Sequence, residues 1–265
     1  EQAMITLAEE EDSEVYYCGD EDDGHAKKNK WLKTWLPDDT NEEEDDMKWF
    51  WFDKNGKLYR ASGSDAVKAQ KYKLEEGKLV YDGSEITGVD KKKVNSKDYW
   101  FRPDGAMISK FYEINGNMYY FGGSDDGSMK TGSQSVKDNT GDTYKFYFET
   151  KTGANKGAGV TGNQSNKLYY YGMLIQADDY KYQVANIDGV KFIVNSNGSI
   201  QHSYDTTYKE DGDELITVDK SVEKGGKAAY NTTGAYKYGF TAGVQSKVDD
   251  VDMSKFIEGK NGFTK

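Results

Sequence analysis

The sequence predicts an all-β protein: a β-hairpin repeat solenoid built as two tandem multi-hairpin blocks, with a less regular C-terminal cap. Three observations carry that expectation. Short aromatic runs recur along the chain, each followed by a polar turn that ends in glycine. Asn-Gly and Asp-Gly pairs separate apolar segments, where the φ > 0 turns of tight hairpins favour them. Long helical periodicity is absent, and only two prolines, Pro37 and Pro103, occur in 265 residues.

The runs can be followed in order. Tyr16-Tyr17-Cys18 leads to Gly24, and Trp49-Phe50-Trp51-Phe52 leads to Asp53-Lys54-Asn55-Gly56. Tyr99-Trp100-Phe101 leads to Pro103-Asp104-Gly105, and Tyr119-Tyr120-Phe121 to Gly127. Phe146-Tyr147-Phe148 precedes Gly153, Leu168-Tyr169-Tyr170-Tyr171 precedes Gly172, and Phe192-Ile193-Val194 precedes Asn195-Ser196-Asn197-Gly198. Aromatic and β-branched runs of this kind have high strand propensity. Asn115-Gly116 lies between Phe111-Tyr112-Glu113-Ile114 and Met118-Tyr119-Tyr120-Phe121. Asp188-Gly189 lies between Tyr182-Gln183-Val184-Ala185 and Val190-Lys191-Phe192-Ile193. Both read as hairpins. Val248, Val251, Met253 and Phe256 suggest one short amphipathic helical turn near the end.

A larger duplication overlies the small one. Tyr16-Tyr17-Cys18-Gly19 followed by Asp22-Asp23-Gly24 matches Tyr119-Tyr120-Phe121-Gly122 followed by Asp125-Asp126-Gly127. Phe52 matches Phe148, Leu79 matches Leu168, and Tyr99-Trp100-Phe101 matches Phe192-Ile193-Val194. The spacing between matches drifts, as loop insertions such as the acidic stretch 38–46 require. The expected organisation is a first hairpin-repeat block at 11–115, a second at 116–204, and a degenerate repeat or cap at 205–265. Tyr236-Lys237-Tyr238-Gly239-Phe240 suggests one more strand there. A cap fits the need of a stacked array to cover its last open face.

Composition explains why the runs are aromatic. Hydrophobic residues make up 35% of the chain, 21 of them Tyr; with Tyr left out and Gly counted the apolar share is roughly 38%, below the roughly 45–50% of globular domains. A thick aliphatic core is therefore excluded. Each buried aromatic ring removes about 150–250 Å² from water, so a thin stack can be sealed by rings. The 46 acidic residues exceed the 35 basic ones, giving a net charge of −11. That balance argues against nucleic acid and anionic lipid, which select Lys/Arg-rich surfaces, and suits neutral sugars or cationic groups. The single cysteine, Cys18, excludes an internal disulfide. No apolar run approaches the roughly 20 residues of a membrane span, so no membrane insertion is expected, and no signal peptide is visible.

Lys48-Trp49-Phe50-Trp51-Phe52-Asp53-Lys54-Asn55-Gly56-Lys57-Leu58 resembles the cell-wall-binding repeat of Gram-positive bacteria. So do Asn117-Met118-Tyr119-Tyr120-Phe121 and Asp126-Gly127-Ser128-Met129-Lys130-Thr131-Gly132. That family includes choline-binding modules, glucan-binding repeats and the receptor-binding repeats of clostridial toxins. The resemblance covers residues 14–204 and holds best at the aromatic runs and turn glycines. It implies a hairpin solenoid with ligands between consecutive hairpins, and a secreted or cell-wall-associated location. In choline-binding members a Trp after the turn forms one wall of a cage. The positions matching it are Ser62, Phe111, Ser133, Tyr204 and one near Gly159. The cage aromatic that opens each run is matched by Val15, Trp49, Asp98, Met118, Lys145, Leu168 and Lys191. Only Trp49 keeps the family's residue, which argues against choline.

A reactive centre is not legible. The two histidines, His25 and His202, follow turns and read as surface residues, and Cys18 reads as a small core filler. No Walker loop, dinucleotide-binding glycine motif or His-Glu-x-x-His is present. The acidic runs 9–12, 20–23 and 42–46 lack EF-hand spacing and read as solvated loops. Asp53 and Asp104 read as Asx-turn residues. The expectation is a non-enzyme with no catalytic residue, metal or cofactor.

Aromatic surface remains. The candidate ligand-binding residues are Trp31, Trp35, Trp49, Trp51, Trp100, Phe111 and Tyr119. All five tryptophans fall in the first half. The region matching Trp31 and Trp35 in the second block, 133–136, is polar, which points to a site private to the first. Strand alternation predicts that within Trp49-Phe50-Trp51-Phe52 either both Trp or both Phe face solvent. The expected ligand is a cell-wall polysaccharide or other extracellular glycan. The alternative is an adhesin or spacer that displays its loops to a host or bacterial surface protein.

Overall fold

A computed structural model describes residues 3–6, 14–18, 24–36, 47–222, 239–240 and 243–258. Among them the chain is almost wholly antiparallel hairpin and turn, as the repeat pattern predicts. The expected helical turn near the end is a single 3-10 turn, Met253–Lys255, capped by Asp252, whose carboxylate accepts the Ser254 N–H. The acidic stretches 9–12, 20–23 and 42–46 fall outside the described residues. So do the whole insert 38–46 and residues 236–238 of the suggested last strand. Phe240 is described: it is buried and bridges Lys191. No helix among the described residues is long and apolar enough to cross a membrane.

Two compact units are distinguishable. The first comprises Glu1–Gln70, Ser84–Asn115 and Phe121–Met129, and the second Lys71–Gly83, Gly116–Tyr120 and Lys130–Lys265. Among the described residues the first unit holds the hairpins Ala3–Thr6 with Val15–Cys18, Lys30–Thr34 with Lys48–Phe52, and Asp90–Val94 with Lys97–Phe101. The second holds Gly132–Lys137 with Thr143–Phe148, Gly162–Gln164 with Lys167–Tyr170, Tyr182–Ile187 with Val190–Asn195, and Thr206–Glu210 with Asp213–Val218. Asp188 and Gly189 both have positive φ, 51° and 84°, and close the Tyr182–Ile187 hairpin as its Asp-Gly pair predicts.

The turns after the runs repeat one hydrogen-bond scheme. The Asp53 carbonyl accepts from Gly56 N at 3.0 Å, and Lys57 O accepts from Asp53 N at 2.9 Å. Arg102, Gly105 and Ala106 repeat this at 2.9 and 2.9 Å; Asn195, Gly198 and Ser199 repeat it at 2.9 and 3.2 Å. An Asx side chain locks each turn. Asp53 Oδ1 accepts from Asn55 N and Lys57 N, Asp104 Oδ1 from Ala106 N, and Asn195 Oδ1 from Asn197 N and Ser199 N. Gly56, Gly105 and Gly198 have φ of 85°, 89° and 71°, which L side chains resist. Asp/Asn-x-x-Gly spacing codes the first and third of these turns, and in the second Asp104 just before Gly105 supplies the Asx bond.

The residue just after each turn does double duty. It bridges its own run, as Leu58 does with Phe52 and Met107 with Phe101. It also donates its N–H to the opening of an earlier hairpin. Leu58 donates to Val15 O at 2.8 Å, Met107 to Trp49 O at 2.9 Å and Met129 to Asp98 O at 2.8 Å. In the second unit Gly159 donates to Met118 O at 2.7 Å and Ile200 to Asn166 O at 3.0 Å. Successive repeats are thus joined by main-chain bonds made by residues as different as Leu58, Met107 and Ile200, which lets the sequence degenerate while the stack persists.

Between the hairpins lie thin cores. Val15, Tyr17, Phe50, Phe52, Leu58 and Ala106 form one, and Trp51, Val94, Tyr99, Phe101 and Met107 form the next. In the second unit Leu168, Ile175, Ala185, Phe192, Val194 and Ile200 pack together with Val251, against which Met253 and Phe256 rest. A further cluster gathers Val184, Ile193, Ile216, Val218, Val222 and Phe240. The strand Lys48–Phe52 is consequently covered on both faces: Phe50 and Phe52 are 0% exposed and Trp51 is 7% exposed. The expectation that one face of that strand would be free is overturned. A hairpin within a stack has a neighbour on each side, so alternation no longer separates buried from exposed.

Candidate functional site

The site grows from the hairpin Lys30–Thr34/Lys48–Phe52. Its register sets Trp31 opposite Trp51 and Lys33 opposite Trp49. Cross-strand partners share a face, as do alternate residues of one strand. Trp31, Lys33, Trp49 and Trp51 therefore stand on one face, and Leu32 and Phe50 on the other.

Trp31 is wedged against the next hairpin. Its ring centroid lies 4.8 Å from Tyr99, 5.4 Å from Trp51 and 5.7 Å from Phe101, the last nearly parallel at 12°. Tyr59 meets Phe101 edge-on at 5.0 Å, and the Lys92 ammonium sits 4.2 Å over the Tyr59 ring. These separations suit offset and tilted aromatic pairs. The result is a continuous aromatic slab of which Trp31 keeps part of its surface at the solvent boundary.

Trp49 closes the other end of the face. Its indole Nε1–H donates to Asp125 Oδ1 at 2.9 Å, and Lys33 Nζ lies 2.9 Å from the same oxygen. The Lys33 and Asp125 side chains remain 42% and 64% exposed. The indole hydrogen bond, then the Lys33 ammonium, hold the Asp125 carboxyl below the usual Asp range. A half-buried indole with a carboxylate and an ammonium at its edge offers an apolar ring beside a donor and an acceptor. A pyranose needs the same pairing: its C–H face packs on the ring and its hydroxyls bond to the rim.

The depressed carboxyl sets a pH dependence. The bond between Asp125 and Trp49 is complete above the ordinary Asp range and is lost as pH falls through the lower folded-state value. An acid transition in tryptophan emission is expected in the wild type. It should vanish in Asp125→Asn, and an identical transition in that variant would show that another group is responsible.

The other candidates divide by burial. Trp35 and Trp100 are half-buried, like Trp31 and Trp49. Trp51, Phe111 and Tyr119 are 7%, 2% and 6% exposed and serve the packing; burial pushes the Tyr119 hydroxyl up. The structure thus brings together Trp31, Trp49 and Trp51, with Trp100 on the neighbouring hairpin. Lys33 and Asp125 were missed by sequence reasoning. Asp125 lies 76 residues from Trp49, and its acidic loop carries no local signal of that pairing. The two histidines and the cysteine do not converge: His25 is exposed, His202 contacts Asn166 Oδ1, and Cys18 is half-buried and free. Among the described residues no group of three or more His, Cys, Asp or Glu is placed to hold a metal.

The matching of cage positions shifts in one place. Gly159 shares the main-chain bonding of Met107, so the residue in phase with Phe111 is Asn163, not Gly159. Asn163 is buried, and its Oδ1 accepts the Asn166 N–H at 3.0 Å.

No family model matches the chain, and no curated protein does. Several solved structures are similar, among them these three. The modular Cpl-1 endolysin in complex with a peptidoglycan analogue is 16% identical, covering 80% of this chain and 41% of that one, with a TM-score of 0.31. CbpJ from Streptococcus pneumoniae is 17% identical over 81% of this chain and 83% of that one, with a TM-score of 0.29. An alternansucrase in complex with isomaltononaose is 16% identical over 82% and 16%, with a TM-score of 0.27. The chain therefore spans 41% of the endolysin's length.

Proposed function

We propose that this chain is a non-catalytic glycan-binding repeat module of a secreted or cell-surface protein, directed at cell-wall polysaccharide or another extracellular glycan. Its proposed organisation is the two tandem blocks 11–115 and 116–204 followed by 205–265. The observation that carries the reading is the Trp49 rim. An indole of intermediate exposure has its N–H committed to Asp125, with Lys33 on the same carboxylate oxygen. Such a rim gains little as a structural element, because exposed ion pairs contribute only about 0–1 kcal/mol. Trp31 and Trp35 are the remaining proposed contact rings of this site, while Trp100, also a proposed contact ring, stands on the far face of the neighbouring hairpin. The bonding of this site to main-chain repeats gives a rigid platform, and rigid aromatic anchors lose little entropy on binding.

The test is affinity electrophoresis or calorimetry against neutral cell-wall glycans, chitin oligosaccharides first. Trp49→Ala is expected to weaken binding about tenfold, equivalent to about 1.4 kcal/mol, with an unchanged far-UV spectrum. Binding that survives in both Trp49→Ala and Asp125→Asn would overturn the reading.

A further inference from the structure

The hairpin Asp90–Val94/Lys97–Phe101 is a basic island of an acidic chain, as is the lysine-rich segment 27–33. Residues 90–102 contain Lys91, Lys92, Lys93, Lys97 and Arg102 against two carboxylates, Asp90 and Asp98, in a protein of net charge −11. The two carboxylates are already engaged: Asp90 Oδ2 accepts the Ser62 N–H at 2.6 Å, and Asp98 is buried at 9% exposure. Arg102 pairs with Asp104 at 2.9 Å and Lys92 lies over Tyr59. Lys91, Lys93 and Lys97 are exposed, and among the described residues none of the three meets a carboxylate.

Register decides where they point. Lys92 is opposite Tyr99 and Asp90 opposite Phe101, so these share the face turned to the aromatic slab. Lys91 is opposite Trp100 and Lys93 opposite Asp98, on the other face. That face therefore carries two ammonium groups, about 7 Å apart along the strand, beside a half-buried indole. Asp98 shares that face opposite Lys93 but is buried and forms no ion pair with it, and like charges at alternate positions of one strand repel. An anionic ligand removes that repulsion.

We propose that this face is a second glycan subsite, selective for a sparsely charged acidic polysaccharide in which carboxylate-bearing sugars alternate with neutral ones. The inference rests on the glycan-binding reading above and adds a charged substrate class on a different face. The lysines meet the carboxylates and Trp100 takes the ring of the neutral neighbour. Alternation follows from the pairing on that face: two ammonium groups stand beside one indole, so a carboxylate-bearing sugar and a neutral ring are held together.

The probe is a hyaluronan oligosaccharide, compared with a chitin oligosaccharide of matched length and an oligothymidylate. Wild-type protein should bind hyaluronan, with an affinity that falls as salt rises. The double variant Lys91→Gln/Lys93→Gln should bind it about tenfold more weakly, the product of two exposed ion pairs, with chitin binding unchanged. Both side chains are exposed, so far-UV spectrum and unfolding midpoint should not move. No hyaluronan binding by the wild type would overturn the inference, and so would an unaffected double variant. Oligothymidylate binding as tight as hyaluronan would overturn it too, marking a generic polyanion patch. Chitin binding is read separately, so each of these failures leaves the Trp49 site standing or falling on its own result.

Discussion

Phe101→Ala should lower the unfolding free energy of the first unit by about 3–5 kcal/mol, the range for truncating a fully buried aromatic. Phe101 is 0% exposed and is the ring on which the neighbouring rings converge. It stacks on Trp31 and takes Tyr59 edge-on. It also lies in the core with Trp51, Val94, Tyr99 and Met107. A globular interior can relax into such a gap. A stack one ring thick cannot, because the backbone spacing is held by Met107 N to Trp49 O and Leu58 N to Val15 O. The measurement is denaturant unfolding followed by far-UV spectrum and tryptophan emission together, since four of the five tryptophans, Trp31, Trp49, Trp51 and Trp100, lie in or beside that core or on its hairpin. A loss under about 1 kcal/mol would mean that the slab repacks, contrary to this account.

Gly159→Ala carries the second large effect, about 3 kcal/mol, at the upper end for overpacking. A Cβ there would lie 2.4 Å from the Tyr171 carbonyl oxygen and 2.8 Å from Gly172 N. These are main-chain atoms, so no rotamer change relieves the contact. The same glycine donates to Met118 O and bridges Phe148, so shifting it strains the link between repeats. Gly123→Ala is the control, because its Cβ would meet nothing within 4 Å. Equal unfolding midpoints for the two variants would refute the close approach. The position has a functional corollary. The loop before Gly159 is longer than in the sister repeats, and it delivers a main-chain crossing where sequence matching had set a cage wall.

The repeat was legible because its turns are coded locally. Asp53-Lys54-Asn55-Gly56 and Asn195-Ser196-Asn197-Gly198 name the hydrogen-bond acceptor and the left-handed residue of each turn within four positions. Asp188-Gly189 does the same for a tight hairpin. Contacts of that range leave a pattern in the chain. The candidate site was legible only in part. Trp31 and Trp49 stood out as tryptophans absent from the second block. Trp51, Phe111 and Tyr119 were equally aromatic candidates, yet lie inside the packing. Asp125 and Lys33 carried no signal at all, since an exposed charge in an acidic chain is the commonest of features.

By itself the sequence determined the unit: an aromatic strand, an Asx-locked turn with glycine at positive φ, and an apolar residue that returns to the run. It also determined that rings would seal the molecule, because too few aliphatic residues are present to do otherwise. Only the tertiary structure decided which rings are covered. Stacking places a neighbour on both faces of the Lys48–Phe52 strand, and alternation along a strand has no term for a second neighbour. It likewise decided that Asp125 caps Trp49 and that Lys91 and Lys93 share a face with Trp100. The first depends on a contact across 76 residues and the second on strand register.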